Sequence, residues 1–268
     1  MTLEFLSPTP DGEPPAEAPL AASPLQAQVE AAGASFEARE GWRVPAGFGS
    51  PEEELRACRE GVAIADRSAL GKLELQGRPL ALAAMLQGLL GGGPPPLGTT
   101  AQLGALPELE GDAALDGAAA PPWAPVWLSS PDRALALCEP GETPRLRAVL
   151  QAAAGGSPDR GVVELTAGMA AFELRGPLAR ELLARLSAID LRAERLPAGE
   201  VRAGLVAEVP ATVLCVEPDA LLVLVAAPEA PDAWEIAIDA GRPLGLRPVG
   251  ERTRAELVPP PREVAARA

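Results

Sequence analysis

The densest gathering of reactive side chains lies between Leu55 and Gly77, where Arg59, Asp66, Ser68 and Lys72 fall close together. Asp66-Arg67-Ser68 has the composition of a polar turn, whose carboxylate and hydroxyl can wall a ligand cavity beside the Lys72 cation. The plainer reading is a turn that satisfies its own backbone, with Lys72 solvated or paired. Arg254, far along the chain, offers a planar fork that suits a ligand carboxylate. It can equally link two parts of the fold through a carboxylate of the protein. Trp123 and Trp127 can line a cavity, although large aromatics are more often core.

Much chemistry is excluded by absence. The sequence has no His and no Tyr, and Lys72 is the only Lys. A His-based triad, a His-metal site, a Lys Schiff base and a Tyr acid are therefore ruled out or nearly so. Cys58, Cys138 and Cys215 are isolated, without a CxxC pair, and read as buried thiols in a reducing compartment. No metal site is expected. The net charge of -14 argues against nucleic acid and against an anionic membrane surface as partners. A hydrophobic fraction of 47% with 22% charged residues describes a globular chain, and 268 residues suit one large or two small domains. The opening MTLEFLSPTPDGEPP lacks the basic and apolar regions of a signal peptide, and no long apolar run suggests a membrane span. The expected location is cytoplasmic.

The elements that must position these side chains follow from the pattern. Residues 1–22, rich in Pro, Glu and Ala without a period, read as a disordered tail, and 259–268 as a second tail. Pro24 to Ala32 is helical, and Gly33 to Gly49 holds short strands and a loop. Ser50-Pro51-Glu52-Glu53 predicts a helix start, with Ser50 as N-cap, Pro51 at the first position and Glu53 completing a capping box. That helix stops at Gly61. Strands follow at 62–65 and 71–75, then a helix after Pro79. A flexible loop spans Gly91 to Thr100, and strands fall within 102–115. A hairpin turns about Ser129 to Asp132, and Thr143-Pro144 opens a helix with Thr143 as its cap. Further strands are read at 162–165, 170–174, 201–207, 211–216 and 220–225. Helices begin after Pro177 and at Pro231, and a short last helix occupies 251–258.

One segment echoes another. Glu74-Leu75-Gln76-Gly77-Arg78-Pro79-Leu80-Ala81 reads against Glu173-Leu174-Arg175-Gly176-Pro177-Leu178-Ala179. Both are strand, Gly, Pro, then a Leu-rich helix. The expected fold is α+β, with two related lobes of mixed β-sheet and helix around a central cavity. The lobes are drawn at about 23–160 and 161–258.

The order of these pieces resembles the folate-binding domain of aminomethyltransferases, the T-protein of the glycine cleavage system and its relatives in sarcosine and dimethylglycine oxidation. The motifs, in order, are Ser23-Pro24-Leu25, Gly41-Trp42-Arg43-Val44-Pro45, Arg59-Glu60-Gly61, Asp66-Arg67-Ser68, and Gly71 to Gly77. Leu174-Arg175-Gly176-Pro177, the Trp234 helix and Gly245-Leu246-Arg247-Pro248-Val249-Gly250 follow, and Arg254 falls on the arginine of the family's ARD triplet. In length the chain is nearer the gamma subunit of heterotetrameric sarcosine oxidase than a full T-protein.

The resemblance implies tetrahydrofolate as cofactor and aminomethyl or methylene transfer as activity, in one-carbon and small-amine metabolism. Asp116 takes the position of the family's carboxylate beside the folate and is the candidate catalytic residue; its plainer role is a turn Asp before Gly117. Arg254, Asp66 and Ser68 are the candidate cofactor-binding residues. The family's pterin-binding Glu falls on Leu222, which accepts no hydrogen bond, so folate binding is expected to be weakened or lost. Glu217 or Asp219 takes its place only if the register shifts. The alternative reading is a non-catalytic subunit supporting flavoprotein oxidase subunits. A third, the relatives that maintain iron–sulfur clusters, ranks last because their Lys-Gly-Cys segment has no counterpart.

Overall fold

The computed structural model describes residues 20–103 and 123–257. The expected strands beyond residue 103, Asp116, and the tails before residue 20 and after 257 lie outside these.

The chain opens with β1 (Ala21–Ala22), α1 (Gln26–Ala31), and the hairpin β2 (Ser35–Arg39) and β3 (Trp42–Gly47). The helix α2 (Pro51–Glu60) starts as its sequence predicts: Ser50 Oγ accepts from the Glu53 N–H at 3.3 Å. Only half of the capping box forms. The Glu53 carboxylate pairs instead with Arg247, 3.2 Å away. A run of elements follows: β4 (Ala63–Asp66), β5 (Gly71–Gly77), α3 (Pro79–Leu90), β6 (Ala101–Gln102), β7 (Pro125–Ser130), β8 (Arg133–Cys138) and α4 (Thr143–Ala154). A second run repeats that order: β9 (Arg160–Glu164), β10 (Met169–Arg175), α5 (Ala179–Leu186), β11 (Val201–Val206), β12 (Val209–Glu217), β13 (Ala220–Ala226) and α6 (Ala230–Gly241). In each run a 3-10 turn precedes the last helix. That turn corrects the expected cap of α4. Thr143 already has helical dihedrals, and Glu142 is the N-cap residue. The strand β14 (Arg247–Pro248) and helix α7 (Glu251–Leu257) close the described chain.

The two runs exchange their first strands. One sheet has the order β11-β12-β13-β10-β4-β14 and the other β6-β7-β8-β5-β9. Thus β4 joins the sheet of the second run beside β10, and β9 joins the sheet of the first beside β5. A small third sheet, β1-β3-β2, stands apart.

Alternating side chains split each sheet between two cores. From β8, Ala134, Ala136 and Cys138 face α3 and α4, whereas Leu135 and Leu137 face the opposite sheet. From β13, Leu221, Val223 and Val225 pack on α5 and α6, whereas Leu222 and Leu224 face inward. Burial on both faces explains the continuous apolar run of β13. The layers are therefore helices, sheet, sheet, helices. On the outer side Phe172 meets Trp234 edge-on, with ring centroids 6.2 Å apart.

The two echoed turns differ in geometry. Gly176 has φ +119°, and a Cβ there would meet the Gly61 carbonyl oxygen at 2.5 Å. Only glycine suits that position. The helix after it begins at Ala179, two residues beyond Pro177, while α3 begins directly at Pro79.

Gly250, between β14 and α7, is fixed by contact alone. A Cβ there would lie 2.3 Å from the carbonyl carbon and oxygen of Ala46. Gly250→Ala is expected to destabilise by about 2 kcal/mol or more, as overpacking against backbone does. Gly88→Ala, on the exposed face of α3 with nothing within 4 Å, is expected to stabilise by about 0.5–1 kcal/mol. Urea unfolding of both variants checks the pair, and an unchanged midpoint for Gly250→Ala would refute the packing described.

Candidate functional site

The crossovers between the sheets create the first polar cluster. After β4 the chain turns through Arg67 to Leu70 to reach the other sheet; after β9 it turns through Leu165 to Gly168 to come back. Each turn is bound to the partner strand. Arg67 N–H donates to the Ala171 carbonyl of β10 at 2.8 Å. Ser68 Oγ accepts from Ala171 N–H and donates to its carbonyl. In return Leu165 N–H donates to the Lys72 carbonyl of β5, and Lys72 N–H donates to Thr166 Oγ1.

Lys72 lies between the two turns and is fully buried. Its ammonium donates to the carbonyls of Ser68 at 2.8 Å, Leu70 at 2.9 Å and Thr166 at 3.4 Å. It is thus neither solvated nor hydrogen-bonded to a carboxylate. Burial pulls its pKa down to about 7, against the opposing pull of the Asp66 charge. Asp66 accepts the Ser68 N–H on Oδ1 at 2.9 Å. Burial raises its pKa, although the Ser68 N–H and the Lys72 charge work against the rise.

Beside this cluster lies a cavity of about 510 Å³. Its charged wall is assembled from distant parts of the chain. Arg67, from the crossover turn, reaches Glu251 of α7 at 2.7 Å and Glu139, just after β8, at 2.8 Å. Arg39 from β2 and Arg254 from α7 also reach Glu251, at 2.8 and 3.1 Å. Arg254 lies 3.7 Å from Glu139. Desolvation works against the Arg67 cation, but Glu251 and Glu139 outweigh it and keep the guanidinium charged. Desolvation likewise pushes Glu251 up, yet Arg67 and Arg254 hold it down at about 2. A second carboxylate locks α7 in place. Glu54 of α2 accepts from Phe48 N–H, Gly250 N–H and the Thr253 hydroxyl, at 2.6, 2.9 and 2.8 Å.

Of the four candidate residues, Asp66 and Arg254 line the same cavity. Ser68 is 1% exposed and spends its hydroxyl on β10. Asp116 lies outside the described residues. Leu222, expected from the resemblance to take the place of the family's pterin Glu, is 1% exposed and lies in the cluster between the sheets with Trp127, Leu135, Leu137, Leu214 and Leu224. Its β-partners are Glu173 on β10 and Leu214 on β12. A pterin would find no acceptor on this side chain; the nearest strand partner with a carboxylate, Glu173, is buried and holds Arg175 at 2.6 Å. Glu217 does not stand in for it, because both its oxygens hold Arg175 at 2.9 and 3.3 Å. A second cavity, of about 470 Å³, runs past Trp127, Thr99, Arg202 and Thr212. Trp127 is buried and Trp123 half-buried. Glu139, Glu251 and Arg39 escaped the sequence reading because their partners are far apart in the chain. No cluster of His, Cys, Asp and Glu suited to a metal is found among the described residues. No described helix is long and apolar enough to cross a membrane.

Two exchanged sheets with helices outside, closed by an arginine–glutamate cavity, define a mixed α/β protein of aminomethyltransferase-like architecture. The sequence matches the model of the GCVT N-terminal domain over residues 25–258, and the chain belongs to that family. Among solved structures it is similar to the glycine cleavage system aminomethyltransferase T from Bartonella henselae, with TM-score 0.67 and 20% identity over 89% of this chain and 62% of that one. The chain thus spans less than two thirds of that transferase. It is also similar to a heterotetrameric sarcosine oxidase from Corynebacterium sp. U-96, with TM-score 0.56 and 22% identity over 83% of this chain and 95% of that one. No curated protein matches the sequence.

The Glu251 network makes acid stability predictable. Its folded pKa of about 2 lies below the ordinary 4.5, so the unfolded chain binds the proton more readily. The resulting stabilisation is present above pH 4.5 and is lost as pH falls towards 2; it amounts to about 3 kcal/mol. Glu251→Gln is expected to lower neutral-pH stability by at least that amount, since it also leaves Arg67 and Arg254 short of a partner, and to flatten the decline between pH 4.5 and 2. Denaturant unfolding at several pH values measures both, and parallel curves for the variant and the parent would contradict it.

Proposed function

We propose that this chain is a non-catalytic subunit supporting a flavin-containing oxidase partner in small-amine, one-carbon metabolism. The observation that carries this reading is the packed layer around Leu222. Transfer of a one-carbon group to tetrahydrofolate requires a pterin held by hydrogen bonds, and a buried pterin donor without an acceptor costs about 1–3 kcal/mol. At the position implied for the acceptor there is a hydrocarbon side chain, pressed against Trp127 and Leu214 of facing sheets. Such a layer stabilises the fold without a ligand, as suits a protein whose work is to hold a partner. The likeness to a chain of heterotetrameric sarcosine oxidase, over nearly all of that chain, supports a place in a multi-subunit oxidase. The expected partners are flavoprotein subunits, with neither nucleic acid nor membrane involved, and the expected location is cytoplasmic.

Calorimetric titration of the full chain with tetrahydrofolate is expected to give no saturable heat up to high micromolar ligand. Co-expression with the alpha, beta and delta type subunits of a heterotetrameric sarcosine oxidase is expected to yield a complex that survives size-exclusion chromatography. Saturable binding, weakened by Asp116→Asn, would support aminomethyl or methylene transfer instead. A stable monomer in the presence of every such subunit would remove the supporting role.

A further inference from the structure

The two large sheets end differently. The first strands of the two runs, β4 and β9, hold equivalent places after the exchange, one beside β10 and the other beside β5. The outer side of β4 is covered by β14, which pairs with it in parallel: Arg247 N–H donates to the Val62 carbonyl at 3.2 Å and Val249 N–H to that of Ile64 at 2.9 Å. β9 pairs with β5 on one side, and no described strand lies on its other side. The other long edge strand, β11, is partly covered, because Val201 N–H donates to the Gly98 carbonyl and the Leu205 carbonyl accepts from the Ser187 hydroxyl. Open edges are usually blunted by Lys, Pro or a bulge. Arg160-Gly161-Val162-Val163-Glu164 carries none of these.

The ladder fixes which groups that edge presents. Leu165 N–H donates to the Lys72 carbonyl of β5 at 2.7 Å, so alternation turns the N–H and carbonyl of Val163 and Gly161 toward β5 as well. Those of Val162 and Glu164 point away and meet no backbone partner among the described residues. The Arg160 carbonyl points the same way, while its N–H is taken by the Ser157 carbonyl at 3.1 Å. Side chains alternate too. Val162 and Glu164 share a face with Leu75 and Leu73, the face that carries α4, and there Glu164 pairs with Arg147 at 3.0 Å. Arg160 is on this face and, among the described residues, reaches only the Ala153 carbonyl, at 3.5 Å. Val163, on the opposite face, is 40% exposed. A Cβ on Gly161 would meet nothing within 4 Å, so the described packing does not itself call for glycine there.

This strand is its own complement. Laid antiparallel against a second copy about Val162, it sets Arg160 opposite the partner's Glu164 at both ends and Val163 opposite the partner's Gly161, where no side chain stands in its way. The edge groups match as well: Val162 faces the partner's Val162 as a hydrogen-bonded pair, and the Glu164 N–H meets the carbonyl of the partner's Arg160. Parallel pairing would set like charges side by side, which is destabilising. We propose that β9 is a dimerisation edge, at which two copies of this chain pair antiparallel across a two-fold axis at Val162 and join their five-stranded sheets into one. Each Glu164 keeps Arg147 of its own chain and also accepts from the partner's Arg160. The added strand lies beside β9 as β14 lies beside β4, a place the frame is already shown to accommodate. One strand pair is a small contact, at the low end of specific interfaces, and the dimer is expected to dissociate at about 10 µM. The proposal does not depend on the subunit reading and is tested on the chain alone.

Sedimentation velocity of the full chain, from about 1 to about 300 µM, is expected to show a reversible monomer–dimer equilibrium. Arg160→Glu sets glutamate against glutamate at both ends, and Glu164→Arg sets arginine against arginine. Each is expected to weaken the dimer about tenfold or more. The two variants are complementary to each other at both ends, so an equal mixture is expected to associate within about threefold of the parent. Val162→Pro deletes an N–H that β5 does not use and is expected to leave only monomer. Circular dichroism checks that each variant is folded. Monomer at every concentration, a dimer indifferent to both charge reversals, or variants that stay apart when mixed would overturn the proposal.

Discussion

The Lys72 ammonium and its three carbonyl acceptors hold the point on which the fold turns. Two strands leave one sheet for the other there, one in each direction, and a turn that changes sheets cannot pair its carbonyls in either ladder. Those carbonyls are buried and must be satisfied. A compact cation with three rotatable donors does this for Ser68, Leu70 and Thr166 together. Burial of the charge is costly, which is why the pKa falls; the carbonyl dipoles and the nearby Asp66 offset part of that cost. A guanidinium, larger and planar, would not fit three acceptors converging on one atom. The single lysine of the chain is therefore a structural group, and the reactive cluster that Asp66, Ser68 and Lys72 suggest on paper is largely a clasp.

Strand exchange has a second consequence. Each sheet is covered on both faces, outside by helices and inside by the other sheet, so the inner layer must be filled by something. Here side chains fill it: Trp127, Leu137, Leu214, Leu222 and Leu224. In a protein that holds a ligand at this level, polar groups would have to face inward, with the desolvation that entails. Leucine at 222 settles the same space with hydrocarbon, and stability and ligand capacity are opposed uses of one layer. The likeness to a transferase and to an oxidase chain is one of fold, two facing sheets with helices outside.

What could be read from the sequence was local. Ser50 and Pro51 define the start of α2, and the glycine and proline residues before α3 and α5 mark two turns at corresponding places in the runs, because each rests on a few adjacent residues. The ordered motifs identified the family. What was missed was set by contacts across the chain. Thr143 has the right type for a cap, yet the preceding 3-10 turn makes it helical. Glu53 suits a capping box, yet Arg247 claims its carboxylate. Arg67 sits inside a quoted motif, but its partner Glu251 is 184 residues away, and no local pattern connects them. Of the candidate site, Asp66 and Arg254 were legible as polar groups, while their shared cavity was visible only once α7 had docked.

The docking of α7 explains why the cavity exists as a rigid object. A helix of seven residues has little stability of its own. It is held at its start by Glu54, which gathers the Gly250 N–H and the Thr253 hydroxyl, and by Gly250 lying against Ala46. Glu251 and Arg254, one turn apart, then face Arg67 and Arg39. The chain's last described helix thus joins α2 and the crossover turn through buried charges, and the β2–β3 hairpin through the half-exposed Arg39. Breaking one partner of such a network leaves another charge uncompensated, which costs more than the intact pair contributes. The three arginines therefore cannot relax away from one another when an acceptor is missing. Their spacing is imposed by the fold, and Glu251 is the acceptor that all three share.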